Sequence, residues 1–186
     1  MLGEAQRKQA LRERARRLSI PAAQDRSREV QARVLALPEI QVAETLAYYS
    51  PLRPEPLTGL LPGELEGRRL CIPATGSDEL VFRESSGADL VPGPFRGLFE
   101  PPPSQPKIPV EQIDLFVIPG LSFDRRGIRL GRGKGYYDRA LALARSDAVM
   151  VGVCFAECFV EMLPSEEQDV PKHVIVTDRA LHRVIR

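Results

Sequence analysis

The sequence predicts a single α/β domain over residues 1–186, built in three layers around a mainly parallel sheet. The main observation is an apolar run at residues 115–118, which is rich in β-branched and aromatic side chains and stops at Pro119 and Gly120. A short continuous run of this kind is typical of a strand buried on both faces of a parallel sheet. Since the chain has 186 residues and 43% hydrophobic content, it can bury one good core but hardly two.

Two helices are predicted before the first strand. In residues 4–18, an apolar stripe at helical spacing lies beside a basic stripe spaced i, i+4. The apolar stripe is Leu11, Ala15 and Leu18, and the basic stripe is Lys8, Arg12 and Arg16. An arginine-rich helix is often only a solvated surface, so this feature alone leaves that alternative open. The second helix begins near Pro21, and its apolar stripe is Val30, Val34 and Leu37.

Short β-prone runs, each bounded by turn residues, predict the strands. They are residues 45–49, 69–72, 79–82, 115–118, 148–155 and 173–177, with a turn at 73–78. The proline-rich residues 101–109 are predicted to form an ordered loop that crosses to the central strand.

The stretch after the central strand has the composition of a polyphosphate cradle. Residues 131–138 read GRGKGYYD, where the glycines let the backbone approach a ligand and Arg132 and Lys134 supply positive charge. Residues 136–144 have helical spacing, so the loop is predicted to open a helix whose first N–H groups favour anions. The stretch matches neither the P-loop nor the dinucleotide fingerprint. For the glycines alone, a flexible surface turn is the alternative.

Charge and composition exclude several classes of partner. The formal net charge of +1 gives no general footprint for nucleic acid or an anionic membrane. No apolar run approaches the ~20 residues that span a bilayer, and the N-terminus lacks an apolar signal-peptide core, so we expect a cytoplasmic protein. The cysteines, Cys71, Cys154 and Cys158, lie in apolar surroundings and are predicted to be buried thiols. A metal site at the last two is the weaker alternative.

Lysine is rare in this arginine-rich chain. It occurs only at Lys8, Lys107, Lys134 and Lys172. Two of the four lie in candidate phosphate sites, and lysine and arginine are not interchangeable as partners of phosphate. The retained lysines are therefore a modest indication of function.

Three motifs resemble, in the same order, those of the 5-formyltetrahydrofolate cyclo-ligase family, also called methenyltetrahydrofolate synthetases. They are PGLSFD at residues 119–124, GIRLG at 127–131 and GKGYYD at 133–138. Other features of the family recur from Lys8 to Asp178, so the resemblance covers essentially the whole chain. It implies a NagB/RpiA/CoA-transferase-like arrangement, and we expect a monomer.

The resemblance also implies an activity. The reaction is the ATP-dependent cyclisation of 5-formyltetrahydrofolate to 5,10-methenyltetrahydrofolate, with release of ADP and phosphate. In the family mechanism the formyl oxygen on N5 is phosphorylated first, and N10 then attacks the activated carbon. The implied partners are ATP, the folate and Mg²⁺, with neither nucleic acid nor membrane.

Site residues follow from the same resemblance. The ATP-binding group is Lys8, Arg12, Arg129, Leu130, Gly131, Arg132, Gly133, Lys134, Gly135, Tyr136 and Tyr137. Arg132 and Lys134 are the catalytic pair, which would stabilise the transferred phosphoryl group. The substrate-binding group is Ser50, Glu55, Phe123, Arg132 and Tyr136. Asp138 and Asp169 would hold Mg²⁺.

Several of these assignments have alternatives. Glu55 lies in a loop where a glutamate is usually inert, Phe123 suits a core equally well, and Asp138 suits the first turn of a helix. Cys158 and Gln168 replace the family's usual Gln and His. For the activity, the alternatives are a sugar-phosphate or CoA enzyme of the same fold, and a folate- or nucleotide-binding protein without turnover.

Overall fold

The structure is a computed structural model that describes residues 3–59, 61–166 and 168–185. These residues form five helices: α1 (Glu4–Arg16), α2 (Ala23–Leu35), α3 (Pro38–Val42), α4 (Leu61–Glu64) and α5 (Tyr136–Leu141). They also form twelve strands: β1 (Thr45–Ala47), β2 (Arg69–Thr75), β3 (Leu80–Glu84), β4 (Val91–Pro92), β5 (Phe99–Glu100), β6 (Leu115–Pro119), β7 (Ser122–Asp124), β8 (Arg129–Leu130), β9 (Val149–Val153), β10 (Phe159–Val160), β11 (Val174–Val176) and β12 (Leu181–Arg183).

Seven of the strands build a central sheet in the order β12-β11-β9-β6-β1-β2-β3. The five inner strands pair in parallel, and β3 and β12 close the two edges with antiparallel pairing. A small three-stranded sheet, β10-β7-β8, and the pair β4-β5 lie outside it. The predicted α/β class with a mainly parallel sheet is therefore confirmed.

The central strand β6 is buried along its whole length, as its apolar run predicts. Leu115 and Val117 pack into a hydrophobic cluster with α2 and α3, whereas Phe116 and Ile118 pack into a second cluster with α5. Because successive side chains of a strand point to opposite faces, the two clusters lie on the two faces of the sheet. Helices therefore cover both faces and give the three layers.

The other predicted packing features also appear. The stripe of α2 and its following turn, Val30, Val34 and Leu37, is buried, and so is Ala15 of α1. All three cysteines are buried free thiols. No helix in the described part of the chain is long and apolar enough to cross a membrane.

The turn predicted at residues 73–78 begins later than expected, because β2 continues through Pro73 to Thr75 and the chain turns only from Gly76. Tyr48 donates its N–H to the carbonyl of Cys71. The backbone polar groups of Cys71 therefore point toward the side of β1. Pro73 lies two residues further on and faces the same side, but β1 has already ended at Ala47. A proline is tolerated there because no partner strand needs its N–H.

The strand order also fixes where a ligand can bind. After β1 the chain adds β2 and β3 on one side of the sheet, and after β6 it adds β9 and β11 on the other. The connections that leave the adjacent strands β1 and β6 therefore run in opposite directions and leave a crevice between them. Open α/β sheets bind their ligands in the crevice at such a switch point.

Candidate active site

A cavity of about 1670 Å³ opens at this switch point. Its walls come from the loop after β1, the turn after β6, residues 129–139 and the basic stripe of α1, and residues 95–98 form part of its rim. Most single-ligand pockets are roughly 300–1,000 Å³, so the volume has room for two substrates together. Every predicted site residue lines the cavity, with the exception of Phe123.

The sequence assigns Phe123 to the substrate-binding group, and the structure corrects this assignment. Its side chain is 0% exposed and packs with Cys154, Cys158 and Ile175. A Cβ on Gly120 would lie 2.7 Å from its ring, and one on Gly152 would lie 2.5 Å away. The two glycines thus create the space in which Phe123 is buried, and the ring is part of the core.

The described residues that line the cavity carry a surplus of positive charge. They include nine Lys or Arg and five Asp or Glu, which gives a formal charge of +4 in a chain whose total is +1. Such a concentration of cations favours a polyanionic ligand. The nearly neutral chain therefore has a local excess of positive charge at this site.

The glycine loop, residues 131–135, is anchored through its carbonyl groups. Arg12 Nε donates to the carbonyl of Gly131 at 3.0 Å, Arg16 Nη2 to that of Arg132 at 3.3 Å, and Arg139 Nη1 to that of Lys134 at 3.1 Å. In the described structure, none of the five loop N–H groups donates to another residue. The loop therefore offers donors and the unpaired Lys134 ammonium to a ligand.

The basic stripe of α1 borders the cavity, so it is more than a solvated surface. Two of its arginines hold the glycine loop. Lys8 is buried and lies 3.1 Å from Glu166 and 3.3 Å from Asp169. Arg16 was not predicted as a site residue, although its i, i+4 spacing from Arg12 was a usable signal.

Asp124 stabilises the turn that leads into the glycine loop. Its place in the PGLSFD motif did not predict this role. Its fully buried carboxylate accepts hydrogen bonds from the N–H groups of Arg126, Ile128 and Leu163 and pairs with the Arg126 guanidinium at 2.8 Å. These bonds fix the turn between β7 and β8, which leads into the glycine loop, and tie it to the segment before Asp169.

Arg129 enters the cavity from β8 in a tightly defined position. Its side chain is 7% exposed, pairs with Asp138 at 2.9 Å and lies over the Tyr137 ring, 5.1 Å from the centroid. A Cβ on Gly131 would lie 2.6 Å from this guanidinium, which explains the glycine. Arg129 Nε is buried and has no hydrogen-bond partner within the described residues. Buried donors are normally satisfied, so this one fits a ligand acceptor.

Glu55 has a cationic partner that lies 77 residues away in the sequence. Its Oε1 accepts from Arg132 Nε at 3.1 Å and Nη2 at 2.9 Å, and its Oε2 accepts from the Leu52 N–H at 2.8 Å. Arg132 also donates to the carbonyls of Leu52 and Arg53 at 3.0 Å. Burial raises the pKa of Glu55, and the Arg132 charge acts in the opposite direction. Arg132 therefore joins the glycine loop to the loop after β1.

The two predicted metal ligands both line the cavity, and each already has a cationic partner. Asp138 pairs with Arg129, and Asp169 pairs with Lys8. The described residues contain no cluster of three or more His, Cys, Asp or Glu that could hold a metal by itself. Mg²⁺ that arrives with a nucleotide needs only one or two carboxylates in addition to phosphate oxygens and water, and this pair fits that requirement.

Comparison with known proteins identifies the family. The family model described as the 5-formyltetrahydrofolate cyclo-ligase family matches residues 3–178. The chain belongs to this family. A 5-formyltetrahydrofolate cyclo-ligase of Mycolicibacterium smegmatis is 36% identical over 149 residues, which are 74% of this chain and 75% of that protein. The Escherichia coli K12 cyclo-ligase is 28% identical over 175 residues, 90% and 96% of the two chains.

Solved structures agree with the assignment. The 5,10-methenyltetrahydrofolate synthetase of Aquifex aeolicus matches with a TM-score of 0.83 and 30% identity, over 98% of this chain and 93% of its own. A synthetase of Mycoplasma pneumoniae, at 22% identity and a TM-score of 0.74 over 95% of this chain and 99% of its own, shares the fold. The expected family and class of enzyme are confirmed.

Proposed function

We propose that the chain catalyses the ATP-dependent cyclisation of 5-formyltetrahydrofolate to 5,10-methenyltetrahydrofolate, with release of ADP and phosphate. One observation carries this proposal: a single cavity receives both a cationic glycine loop and a buried carboxylate, and Arg132 spans the two. ATP suits the first and the pterin ring suits the second. Both substrates would then meet at the residue between them.

The reaction has two chemical steps. The formyl oxygen on N5 attacks the γ-phosphorus of ATP, and the bond to the leaving ADP breaks. N10 then attacks the activated formyl carbon and loses its proton, and the phosphate leaves with the former formyl oxygen and takes up that proton. The product contains the methenyl bridge between N5 and N10.

Phosphoryl transfer depends mainly on positioning and on stabilising negative charge. The Lys134 ammonium has no partner within the described structure, and Lys8, Arg12 and Arg129 border the same space. No covalent nucleophile is required. Burial also raises the pKa of the Cys71 thiol to about 12 and that of Cys158 to about 11, so these cysteines are poorly suited to such a role.

We propose Asp138 and Asp169 as the protein ligands of a nucleotide-bound Mg²⁺. The ion would supply positive charge next to the phosphate oxygens, and the carboxylates would fix its position. Their present partners, Arg129 and Lys8, are themselves candidate phosphate ligands. Binding of Mg-ATP would therefore exchange two internal ion pairs for contacts with the ligand.

At the other end of the cavity, Glu55 is proposed to recognise the pterin. A pterin presents N–H donors, and a carboxylate accepts them in charge-assisted hydrogen bonds. Ser50 and Tyr136 line the same cavity and would contribute to this surface. Arg132 donates to one oxygen of Glu55 at 2.9 Å. Folate binding would thus change the surroundings of a catalytic residue.

Several broader expectations remain proposals. We propose the NagB/RpiA/CoA-transferase-like arrangement for the sheet and its two helical layers, and one domain for residues 1–186. We also propose that the enzyme acts as a monomer, because one chain supplies each wall described for the cavity. Since its substrates would be ATP and a folate, we place it in the cytoplasm.

The test is the growth of methenyltetrahydrofolate absorbance from 5-formyltetrahydrofolate, with and without Mg-ATP. We expect product only when Mg-ATP is present, with one ADP released per product. Folded protein that forms no product would refute the proposal. A response to sugar phosphates or CoA without ATP would favour the alternative enzyme, and binding without ADP release would favour the protein without turnover.

A further inference from the structure

Two exposed arginines line the cavity outside the glycine loop. Arg53 belongs to the loop after β1, and Arg96 belongs to the connection between β4 and β5. The two segments meet, because a Cβ on Gly97 would lie 3.9 Å from Leu52 Cδ2. Residues adjacent in sequence to this contact therefore bring both arginines to one part of the rim.

These arginines differ from most other cations of the cavity. Lys8, Arg129 and Arg132 pair with carboxylates, whereas the guanidinium groups of Arg53 and Arg96 form no ion pair or hydrogen bond with the described residues. Beside Arg96, the Phe95 side chain is 41% exposed and also lines the cavity. The rim thus combines two unpaired cations with an exposed aromatic ring.

We propose that Arg53, Arg96 and Phe95 form a subsite for the tail of the folate substrate, an inference that rests on the proposed function. A folate carries its pterin at one end and an aminobenzoyl ring with a glutamate at the other. Arg53 lies two residues before Glu55, the proposed pterin ligand, so a tail that leaves the pterin can reach this rim. Arginine suits carboxylates because its planar fork donates two parallel hydrogen bonds.

The subsite predicts a preference among folates. The glutamate carboxylates would pair with the two arginines, and the aminobenzoyl ring would pack on Phe95. Each further γ-linked glutamate adds one carboxylate near the same cations. Affinity should therefore rise from 5-formyltetrahydropteroate, which has no glutamate, to the monoglutamate and the triglutamate. Because the contacts are exposed, the gain should shrink at high salt.

The experiment is calorimetric binding of these three compounds to the wild-type chain and to a double variant, Arg53→Ala with Arg96→Ala. Exposed charge pairs are weak, so we expect the variant to bind the monoglutamate about 2- to 10-fold more weakly. The loss should be larger for the triglutamate and smallest for the pteroate, which carries only the single benzoate carboxylate at this end. Arg28→Ala, an exposed arginine of α2 that is 60% exposed and outside the cavity, is the matched control and should bind all three like the wild type.

Turnover of the same proteins separates this inference from the proposed function. Equal binding of the three compounds by the wild type, binding of none of them, or an equal loss for the pteroate in the double variant would overturn the tail subsite. Those results would leave the cyclisation standing if the product still forms. Absence of product from all three compounds would overturn the cyclisation, while the calorimetric order would still decide whether the arginines hold the tail.

Discussion

The two loops that Arg132 connects are built in opposite ways. The loop after β1 is fixed by its own contacts: Thr58 Oγ1 donates to the carbonyl of Tyr49 at 2.8 Å, and Tyr49 donates its hydroxyl to the carbonyl of Pro56 at 2.7 Å. The glycine loop is held through side chains: arginines from outside the loop donate to its carbonyl groups, and its own Arg132 bonds to the loop after β1. One loop presents a prepared carboxylate and the other presents unused donors.

The difference matches the two ligands. A pterin is a rigid ring with fixed hydrogen-bond positions, so a preorganised acceptor recognises it at little entropic cost. A triphosphate is flexible and highly charged, and a glycine-rich loop with free N–H groups and an unpaired lysine ammonium in the described structure can adjust to it. Substitutions in the glycine loop should therefore affect turnover most, and those in the loop after β1 should affect one substrate selectively.

Lys134→Ala should have the largest effect. The Lys134 ammonium is exposed and unpaired in the described structure. The substitution therefore removes mainly the positive charge that stabilises the transferred phosphoryl group. Removal of one such donor typically slows turnover by ~10²-fold or more. Initial rates at saturating Mg-ATP and folate measure it. Lys107→Ala, an exposed lysine outside the cavity, is the control, and wild-type turnover in Lys134→Ala would remove this residue from the mechanism.

Asp138→Asn and Asp169→Asn test the metal ligands beside the glycine loop. Loss of a residue that only orients a metal ligand commonly costs about 10- to 100-fold in metal affinity. Each variant should therefore raise the Mg²⁺ concentration for half-maximal activity by about 10-fold or more. Asp147→Asn, whose carboxylate is 74% exposed and pairs with Arg145, is the control. An unchanged Mg²⁺ requirement in both variants would exclude these carboxylates from the metal site.

Glu55→Gln tests the prepared side of the comparison. The substitution keeps the shape but replaces charge-assisted hydrogen bonds with neutral ones, a difference of about 1 kcal/mol. We expect the KM for 5-formyltetrahydrofolate to rise about 5-fold, while the KM for ATP stays near the wild-type value. Glu64→Gln, an exposed glutamate outside the cavity, should change neither constant. A rise in the KM for ATP alone would mean that Glu55 positions Arg132 and does not bind the pterin.

What the sequence predicted well was local. The buried strand β6, the glycine loop after it and the basic stripe of α1 are each visible in a short pattern of residue types. The pairing of Glu55 with Arg132 was beyond reach because the partners are 77 residues apart. The burial of Phe123 depends on missing side chains at Gly120 and Gly152, which only the folded packing brings to its ring.

Lys172 is a second feature that the sequence marked only as a rare lysine. Its side chain is 0% exposed, and its ammonium donates to the carbonyl of Val170. Burial lowers its pKa to about 7, and Arg129 acts in the same direction, while Asp138 and Asp169 oppose the shift. The lysine therefore lies within the electrostatic reach of the groups around the glycine loop, although it does not line the cavity.

The smallest effect on turnover is expected from Lys172→Met, which should act on stability. Between pH 7 and the ordinary lysine value of 10.5, the unfolded wild type binds more protons than the folded one, so its free energy of unfolding rises with pH. The methionine variant lacks this term and should be the more stable protein at pH 6.5. The difference in free energy of unfolding between the variant and the wild type should decrease by about 2 kcal/mol between pH 6.5 and pH 9.

Urea unfolding at the two pH values measures this difference, because pH effects common to both proteins cancel. Methionine fills a similar volume without a buried charge, so the comparison isolates the ammonium. Lys107→Met, at an exposed lysine, should show a difference from wild type that is the same at both pH values. If the advantage of Lys172→Met is also constant, the Lys172 ammonium keeps its charge through this range, and the groups around the glycine loop compensate its burial.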